Sequence, residues 1–273
     1  MTKLVWHAGA VTDVGKIRDI NEDSYFASRS IIAVADGVGG AAAGEIASSL
    51  AIDEVKKLRE VSASDDAEAV AEQVAAAVDS AREHIQANVE ENPESEGMGT
   101  TLTALVIKDD QIHLAHIGDS RAYQLRGDDF VQITTDDSYV QHLIDEGAIT
   151  KDEAIDHPYR SVVTRVLQSK PAPAHFEARP AKLGDRYLVC SDGLSDVVRE
   201  ETIEEVLREY TEPKPAAKRL VELALRAGGP DNITVVVADI TESSASVKDQ
   251  VVYGGAIASV FMVAFSYGWW AIG

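Results

Sequence analysis

The chain has 273 residues, 45% of them hydrophobic, a length that suits one large domain or two small ones. Its 46 acidic and 25 basic residues give a formal net charge of −21, and so acidic a surface repels nucleic acid and excludes DNA and RNA as expected partners. The single cysteine, Cys190, excludes an internal disulfide and a cysteine-rich zinc site and indicates a reducing compartment. No phosphate-binding Arg follows Cys190, so we interpret it as a small apolar strand residue rather than a nucleophile.

The hydrophobic pattern predicts a mixture of strands and helices. In chain order it predicts strands at Leu4–Val11, Ser24–Ala27 and Ile31–Ala35, helices at Gly44–Glu60 and Ala67–Glu91, and strands at Thr100–Ile107, Gln111–Ile117, Arg121–Arg126 and Phe130–Ile133. It continues with a helix at Tyr139–Gly147, a strand at Arg186–Ser191, helices at Thr202–Tyr210 and Ala216–Ala227, and a final strand at Ile233–Ile240. This order is neither regular βαβ alternation nor all-β. It predicts an α+β fold of antiparallel sheets with helices packed outside.

The C-terminal segment Val251–Gly273 contains no charged residue. As a helix rising about 1.5 Å per residue it would be roughly 35 Å long, enough to cross a bilayer core. Tyr253 stands near one end and Trp270 near the other, as interfacial aromatic residues do. We therefore expect a transmembrane helix at 251–273, a short polar linker at 242–250 and a catalytic domain at 1–241. A buried terminal helix or strand is the alternative.

The expected location of the domain is the cytoplasmic face of the cell membrane, to which residues 251–273 would anchor it. Lys248 beside the apolar segment favours this orientation, because positively charged flanks stay inside. The N-terminal stretch has no apolar core of the kind that signal peptides carry, so we expect the domain to fold where it is made.

Four aspartates stand at the edges of apolar runs: Asp36, Asp119, Asp192 and Asp231. Three of them close a strand-like run and the fourth opens one. Any one of these positions would be a turn more often than a site. Four carboxylates projected from strand ends can share one place only if cations lie between them, and oxygen ligands favour Mg²⁺ or Mn²⁺. The glycines after Asp36 could also form a phosphate-binding loop, but the Lys-Ser/Thr of a P-loop is absent.

Seven stretches in order carry a family resemblance: RDINEDS, AVADGVGGAAAGEIAS, MGTTLTALVI, LAHIGDSRAY, VVTRVL, YLVCSDGLSDVV and GGPDNITVVVA. With them the chain from about Ala8 to Ile240 resembles the metal-dependent protein serine/threonine phosphatases of the PPM family, type 2C, and especially the bacterial ones. The resemblance implies an αββα sandwich, in which two antiparallel sheets pack face to face with helices outside each, and a monomeric catalytic domain.

The resemblance also implies roles for individual residues. Two core ions, Mn²⁺ or Mg²⁺, and a possible third would be bound. Asp36 would bridge the two core ions, and Asp192 and Asp231 would complete the ligands of the first. The backbone carbonyl of Gly37 would bind the second ion, and Glu22 would contact it through water. Asp119 would hold the third ion together with Asp192, and Arg18 would grip the substrate phosphate.

The function implied by the resemblance is hydrolysis of phosphoserine and phosphothreonine in proteins by direct attack of a metal-bridging hydroxide. The partners would be phosphorylated proteins and a serine/threonine kinase that the phosphatase counteracts. Two alternatives remain: a non-catalytic member, or a partner-switching regulator that binds phosphoprotein through the same groove. The presence of Arg18 and all four aspartates favours the enzyme.

Two positions depart from the family pattern. Val38 stands where some members have a His for which a general-acid role has been proposed, and Asp137 stands where relatives typically have another His. Asp137–Arg165 corresponds to the flap segment of the bacterial enzymes, which is expected to influence substrate choice. We interpret His157, within this segment, as a surface histidine.

Overall fold

Strands make up the centre of the protein. The computed structural model describes residues 3–39, 43–58 and 66–243, together with the backbone of 252–254. The strands in chain order are β1 (Leu4–Asp13), β2 (Ser24–Ala27), β3 (Ile31–Ala35), β4 (Gly37–Val38), β5 (Gly99–Thr100), β6 (Leu102–Lys108), β7 (Gln111–Ile117), β8 (Arg121–Arg126), β9 (Asp129–Gln132), β10 (Leu167–Gln168), β11 (His175–Pro180), β12 (Arg186–Cys190), β13 (Ile233–Glu242) and β14 (Val252–Gly254).

These strands form two large antiparallel sheets and one small one. The first large sheet has the order β1-β13-β12-β8-β9, and the second has the order β11-β7-β6-β3-β2-β14. The small sheet has the order β10-β5-β4. The described helices are α1 (Gly44–Lys57), α2 (Ala67–Glu91), α3 (Tyr139–Asp145), α4 (Lys151–Ile155), α5 (Asp192–Ser195), α6 (Glu200–Glu209) and α7 (Pro213–Arg226).

The buried residues divide into three apolar layers, which show that the sheets pack face to face. Strand β3 illustrates the division, since its side chains alternate between two of these layers. Ile31 and Ala33 pack with α1 and α2, whereas Ile32 and Val34 pack with the opposite sheet. A third layer lies between the first sheet and helices α6 and α7. The predicted α+β arrangement of antiparallel sheets flanked by helices is thereby confirmed.

Local signals explain where several helices begin. The Asp66 side chain caps α2 by accepting a hydrogen bond from the Ala69 N–H at 2.9 Å. Pro213 occupies the first turn of α7, where its missing N–H costs nothing. Helix α7 ends at Arg226, and Gly228 beyond it has a φ of 126°, which favours glycine.

The predicted strand at Thr100–Ile107 is broken at Thr101, and the reason is a contact with the turn after β3. The Thr101 N–H donates to the Asp36 carbonyl at 2.8 Å, and the Thr101 hydroxyl accepts from the Asp36 N–H at 2.9 Å. Gly99–Thr100 therefore leaves the large sheet and pairs with β4 and β10. The small sheet thereby holds the backbone directly after Asp36, and β3 of the large sheet holds the backbone before it.

The C-terminal expectation needs a correction for three residues. Val252–Gly254 form β14, which pairs antiparallel with Tyr25–Ala27 of β2, so a helix that includes them is wrong. The edge of β2 offers unpaired backbone groups, and an added strand satisfies them. Glu242, placed in the linker, is the last residue of β13. The rest of the expected membrane helix lies outside the described residues, and no helix of the described part is long and apolar enough to cross a membrane.

Candidate active site

The four aspartates come together at one edge of the two large sheets. Asp36 follows β3, Asp119 follows β7 after one glycine, Asp192 opens α5 directly after β12, and Asp231 precedes β13. Burial raises the pKa of Asp36 well above its ordinary value, and the charges of neighbouring carboxylates raise it further. These neighbours are Asp23, Asp192, Asp119 and Asp231. The sequence prediction of one shared acidic site agrees with this placement.

The other carboxylates of this acidic cluster are also disfavoured as free anions. Burial is the main cause of the raised pKa of Asp192, followed by the charges of Asp119 and Asp196. Burial, with the charges of Asp136 and Asp196, raises the pKa of Asp119 to about 7. Mutual repulsion of this kind is relieved when a cation binds among the carboxylates.

The donor chemistry of the cluster fits a hard cation. Oδ1 of Asp192 and Oδ1 of Asp23 are buried and have no hydrogen-bond partner among the described residues. Buried carboxylate oxygens without a partner are costly unless they bind an ion. No three Asp, Glu, His or Cys side chains in the described ranges are arranged so that they alone could hold a metal ion. Backbone and water oxygens would therefore have to complete the ligand set.

Asp23 belongs to this cluster, although the sequence analysis did not assign it a role. It is 1% exposed, and its Oδ2 accepts a hydrogen bond from the Ser191 hydroxyl at 2.7 Å. Burial raises the pKa of Asp23 to about 6. A signal was available in the sequence, because an acid directly before the apolar strand β2 is unusual unless it is paired or functional.

The segment that carries Arg18 and Glu22 is held in place by Asn232, a role that its position next to Asp231 in the sequence does not indicate. The Asn232 Oδ1 accepts from the Glu22 N–H at 2.8 Å. Its amide nitrogen donates to the carbonyls of Val14 at 2.9 Å and Ile20 at 2.8 Å. Asn232 is 4% exposed, so these three bonds satisfy its buried side-chain amide and tie it to the segment.

Gly37 allows the turn after β3 to approach this segment. Its N–H donates to the Glu22 carbonyl at 3.2 Å. A Cβ at Gly37 would lie 2.2 Å from the Gly44 carbonyl oxygen, so no other residue fits without moving the backbone. Burial raises the pKa of the Glu22 carboxyl, with a further contribution from the nearby Glu45.

Arg18 lies at the solvent-exposed mouth of the cluster. Its side chain is 49% exposed, and its Nη2 donates to Oδ2 of Asp231 at 2.8 Å. This hydrogen bond raises the pKa of Arg18 and keeps the guanidinium charged. The structure thus places a cationic fork within reach of an anion that approaches the acidic cluster.

Asp137 connects the turn of Asp119 to the flap segment. Its Oδ2 accepts from the Gly118 N–H at 3.0 Å, and its backbone N–H donates to the Gly118 carbonyl at 2.7 Å. Its carboxylate also forms an ion pair with Arg165, and its carbonyl accepts from the Thr164 N–H at 2.7 Å. The residue that departs from the family pattern therefore has a structural task here.

The flap reaches the cluster at a second point, Ser161, whose hydroxyl donates to Oδ2 of Asp196 at 3.2 Å. The His157 ring packs near two tyrosines, with its centroid 6.3 Å from that of Tyr139 and 5.8 Å from that of Tyr159. Cys190 is buried, and this burial raises its pKa to about 12, so its thiol stays protonated at neutral pH.

Comparisons with known proteins agree with this geometry. The chain is 49% identical over 242 residues to the protein named serine/threonine protein phosphatase PstP of Mycobacterium tuberculosis, an alignment that covers 88% of this chain and 46% of PstP. It therefore spans about half the length of this curated relative. It is 34% identical to the serine/threonine phosphatase stp of Listeria innocua, with 85% of this chain and 95% of that protein covered.

A solved structure gives the same result for the fold. The catalytic domain of serine/threonine protein phosphatase PstP in complex with two manganese ions matches with a TM-score of 0.81 and 46% identity, covering 88% of this chain and 100% of that chain. The family model described as protein phosphatase 2C matches residues 18–225. The family resemblance read from the sequence is thus confirmed, and the chain belongs to the protein phosphatase 2C family.

Proposed function

We propose that the chain is a Mn²⁺- or Mg²⁺-dependent phosphatase that hydrolyses phosphoserine and phosphothreonine in proteins. The observation that carries this proposal is the buried acidic cluster, with its unpartnered carboxylate oxygens, beside the exposed Arg18. Carboxylates alone would repel a phosphate dianion. Cations bound among the carboxylates would remove this repulsion, and Arg18 could then bind the phosphate beside them. The names of the two relatives and the manganese ions of the PstP structure support the same function.

The proposed ligands of the ions follow the family resemblance. Asp36 would serve both core ions, and Asp192 and Asp231 would supply further carboxylate oxygens. The Gly37 carbonyl and, through water, Glu22 would also hold the core ions. Asp119 and Asp192 would hold a third ion. When bound, such ions lower the pKa of water and neutralise the charge of the phosphate.

The residues of the chain have two further tasks in the reaction. Arg18 binds the phosphate oxygens and orients the ester, since its fork matches two oxygens at once. Its bond to Asp231 keeps the fork near the cluster while the phosphate is absent. No covalent phosphoenzyme is needed, which agrees with the buried, protonated thiol of Cys190.

The function is tested by hydrolysis of p-nitrophenyl phosphate and of a phosphothreonine peptide. We expect activity with Mn²⁺ or Mg²⁺ and none after EDTA treatment, with recovery when metal is restored. A protein that only binds phosphoprotein would retain the peptide without releasing phosphate. Phosphate release that is insensitive to EDTA, or none with any divalent ion, would refute the proposed function. The expected physiological partner is a serine/threonine kinase, whose products the phosphatase would reverse.

We further propose that residues 255–273 anchor the domain in a membrane, and two truncations separate this role from that of β14. Ending the chain after Gly254 should release the protein from the membrane fraction with activity retained. Ending it after Ser243 also removes β14 and leaves the edge of β2 without its neighbour. We expect that shorter form to melt about 2–4 °C lower, as the loss of roughly 1 kcal/mol of strand pairing would produce.

Both truncations are measured by membrane fractionation and thermal unfolding. Full-length protein found in the soluble fraction would contradict the anchor. Equal melting temperatures for the two truncated forms would show that β14 does not stabilise the domain.

A further inference from the structure

Large apolar side chains are exposed on both sides of the acidic cluster. Ile17 is 71% and Ile20 55% exposed, and they flank Arg18 in sequence. On the flap, Tyr159 is 59% and Val162 45% exposed, and they flank Ser161. Ser161 contacts Asp196, whose charge acts on Asp119 and Asp192, and Arg18 contacts Asp231, so both pairs lie beside residues that border the acidic cluster. We call these four residues the apolar rim.

The backbone of the apolar rim is fixed by hydrogen bonds. The Ile20 carbonyl accepts from the buried Asn232 amide at 2.8 Å. The Val162 carbonyl accepts from the Tyr139 N–H at 2.8 Å, and the Val162 N–H donates to the Tyr159 carbonyl at 3.2 Å. The Tyr159 ring meets the Tyr139 ring edge-on, with centroids 5.9 Å apart. Hydrogen bonds therefore hold the backbone at Ile20, Tyr159 and Val162, and the Tyr159 ring is further placed by its contact with Tyr139.

Single exposed apolar residues are ordinary on protein surfaces. Several of them grouped around a charged site indicate a surface that binds a partner or substrate. A phosphorylated side chain held by Arg18 leaves its own main chain above the groove. An extended chain advances roughly 3.3 Å per residue, so positions two or three residues away lie about 7–10 Å from the phosphorylated residue. In the arrangement we infer, side chains at these positions would contact Ile17 and Ile20 near Arg18, and Tyr159 and Val162 near Ser161.

We propose that the apolar rim binds an extended phosphoprotein segment with large apolar side chains on both sides of the phosphorylated residue. The proposal rests on the proposed phosphatase function and adds a substrate class to it. Acidic residues at these positions are disfavoured, because the chain carries a net charge of −21. Apolar contact contributes to recognition without requiring further charges in the groove.

The first test compares three phosphothreonine peptides of equal length, with apolar, basic or small polar residues at the flanking positions. We expect the wild-type protein with Mn²⁺ to give a kcat/KM roughly 5–10-fold higher for the apolar peptide than for the polar one. Equal values for all three, or preference for the basic peptide, would overturn the rim proposal while leaving the phosphatase function intact. No hydrolysis of any peptide or of p-nitrophenyl phosphate would overturn both.

The second test uses Ile20→Ser, Tyr159→Ser and the double variant. The ratio of kcat/KM for the apolar and polar peptides should fall towards one, and most of the change should be in KM. This ratio is internal to each variant, so a general loss of activity does not affect it. Leu183→Ser is the matched control, since Leu183 is also 59% exposed but precedes β12, whose other end leads to Asp192. An unchanged ratio in the double variant would also overturn the proposal.

Discussion

Asp192→Asn is expected to lower the phosphatase activity by on the order of 10²–10³-fold and, at neutral pH, to stabilise the metal-free protein. Asparagine keeps the volume but removes the negative charge and replaces one carboxylate oxygen with an NH₂ group that cannot ligate a cation. The stability rises because the ionised Asp192 is disfavoured by burial and by the charges of Asp119 and Asp196. Each kcal/mol relieved should raise the melting temperature by about 2–4 °C.

The pH dependence of this gain follows from the raised pKa of Asp192 in the folded protein. Above that pKa the carboxylate is charged in both states, and the folded state carries the full cost of burying it. Below the ordinary pKa of about 4 the group is neutral in both states, so the cost disappears. The advantage of Asp192→Asn over wild type should therefore be present at pH 7.5 and fade towards pH 4.

The measurements are Mn²⁺-dependent phosphate release and thermal unfolding in EDTA at several pH values. Asp128→Asn, in the exposed turn between β8 and β9, is the control and should change neither property. Near-wild-type turnover of Asp192→Asn would contradict the assignment of the cluster as the metal site.

We also expect Asp119→Asn to impair activity less than Asp36→Asn, because Asp119 is assigned to a third ion and Asp36 to both core ions.

The sequence predicted the central strands well because their residues are apolar on both faces. Strands β2 and β3 have the predicted bounds, and Asp23 directly precedes β2 whereas Asp36 directly follows β3. The pattern did not predict β11, whose alternating exposed residues and terminal Pro180 give a weak strand signal at the edge of a sheet. Edge strands of this kind are specified by their neighbour, here β7, more than by their own composition.

The grouping of Asp36, Asp119, Asp192 and Asp231 in one acidic site could be predicted because each stands at a strand end, whereas the contacts of the surrounding residues could not. The contacts of Asp23 with Ser191 and of Asn232 with Glu22 join positions far apart in the chain. The same is true of Asp137. The sequence shows that this residue differs from the His of relatives, but it does not reveal the hydrogen bonds of Asp137 to Gly118. Periodicity describes which face a residue occupies, whereas these roles depend on which distant backbone group it meets.

Asn232→Ala is expected to lower kcat/KM by roughly 10–100-fold, the range found when residues that orient metal ligands are removed. The reason is that Asn232 bonds three backbone groups of the segment that carries Arg18 and Glu22. The loss of these three hydrogen bonds should also cost about 1–3 kcal/mol of folding stability. Asn232→Asp keeps the acceptor for the Glu22 N–H but loses both donors, so we expect it to be similarly impaired.

Activity and thermal unfolding must be measured together, since a partly unfolded variant would lose activity for a trivial reason. The assay should therefore be run well below the melting temperature of each variant. The control is Asn92→Ala, because Asn92 is exposed and bonds only locally, to the Asn88 carbonyl at 3.2 Å. If Asn232→Ala is fully folded at the assay temperature and retains wild-type kcat/KM, then Asn232 does not position the phosphate-binding segment. A large loss of kcat/KM in the folded variant, in which Arg18 and Glu22 are still present, would show that catalysis depends on the placement of these two residues by Asn232.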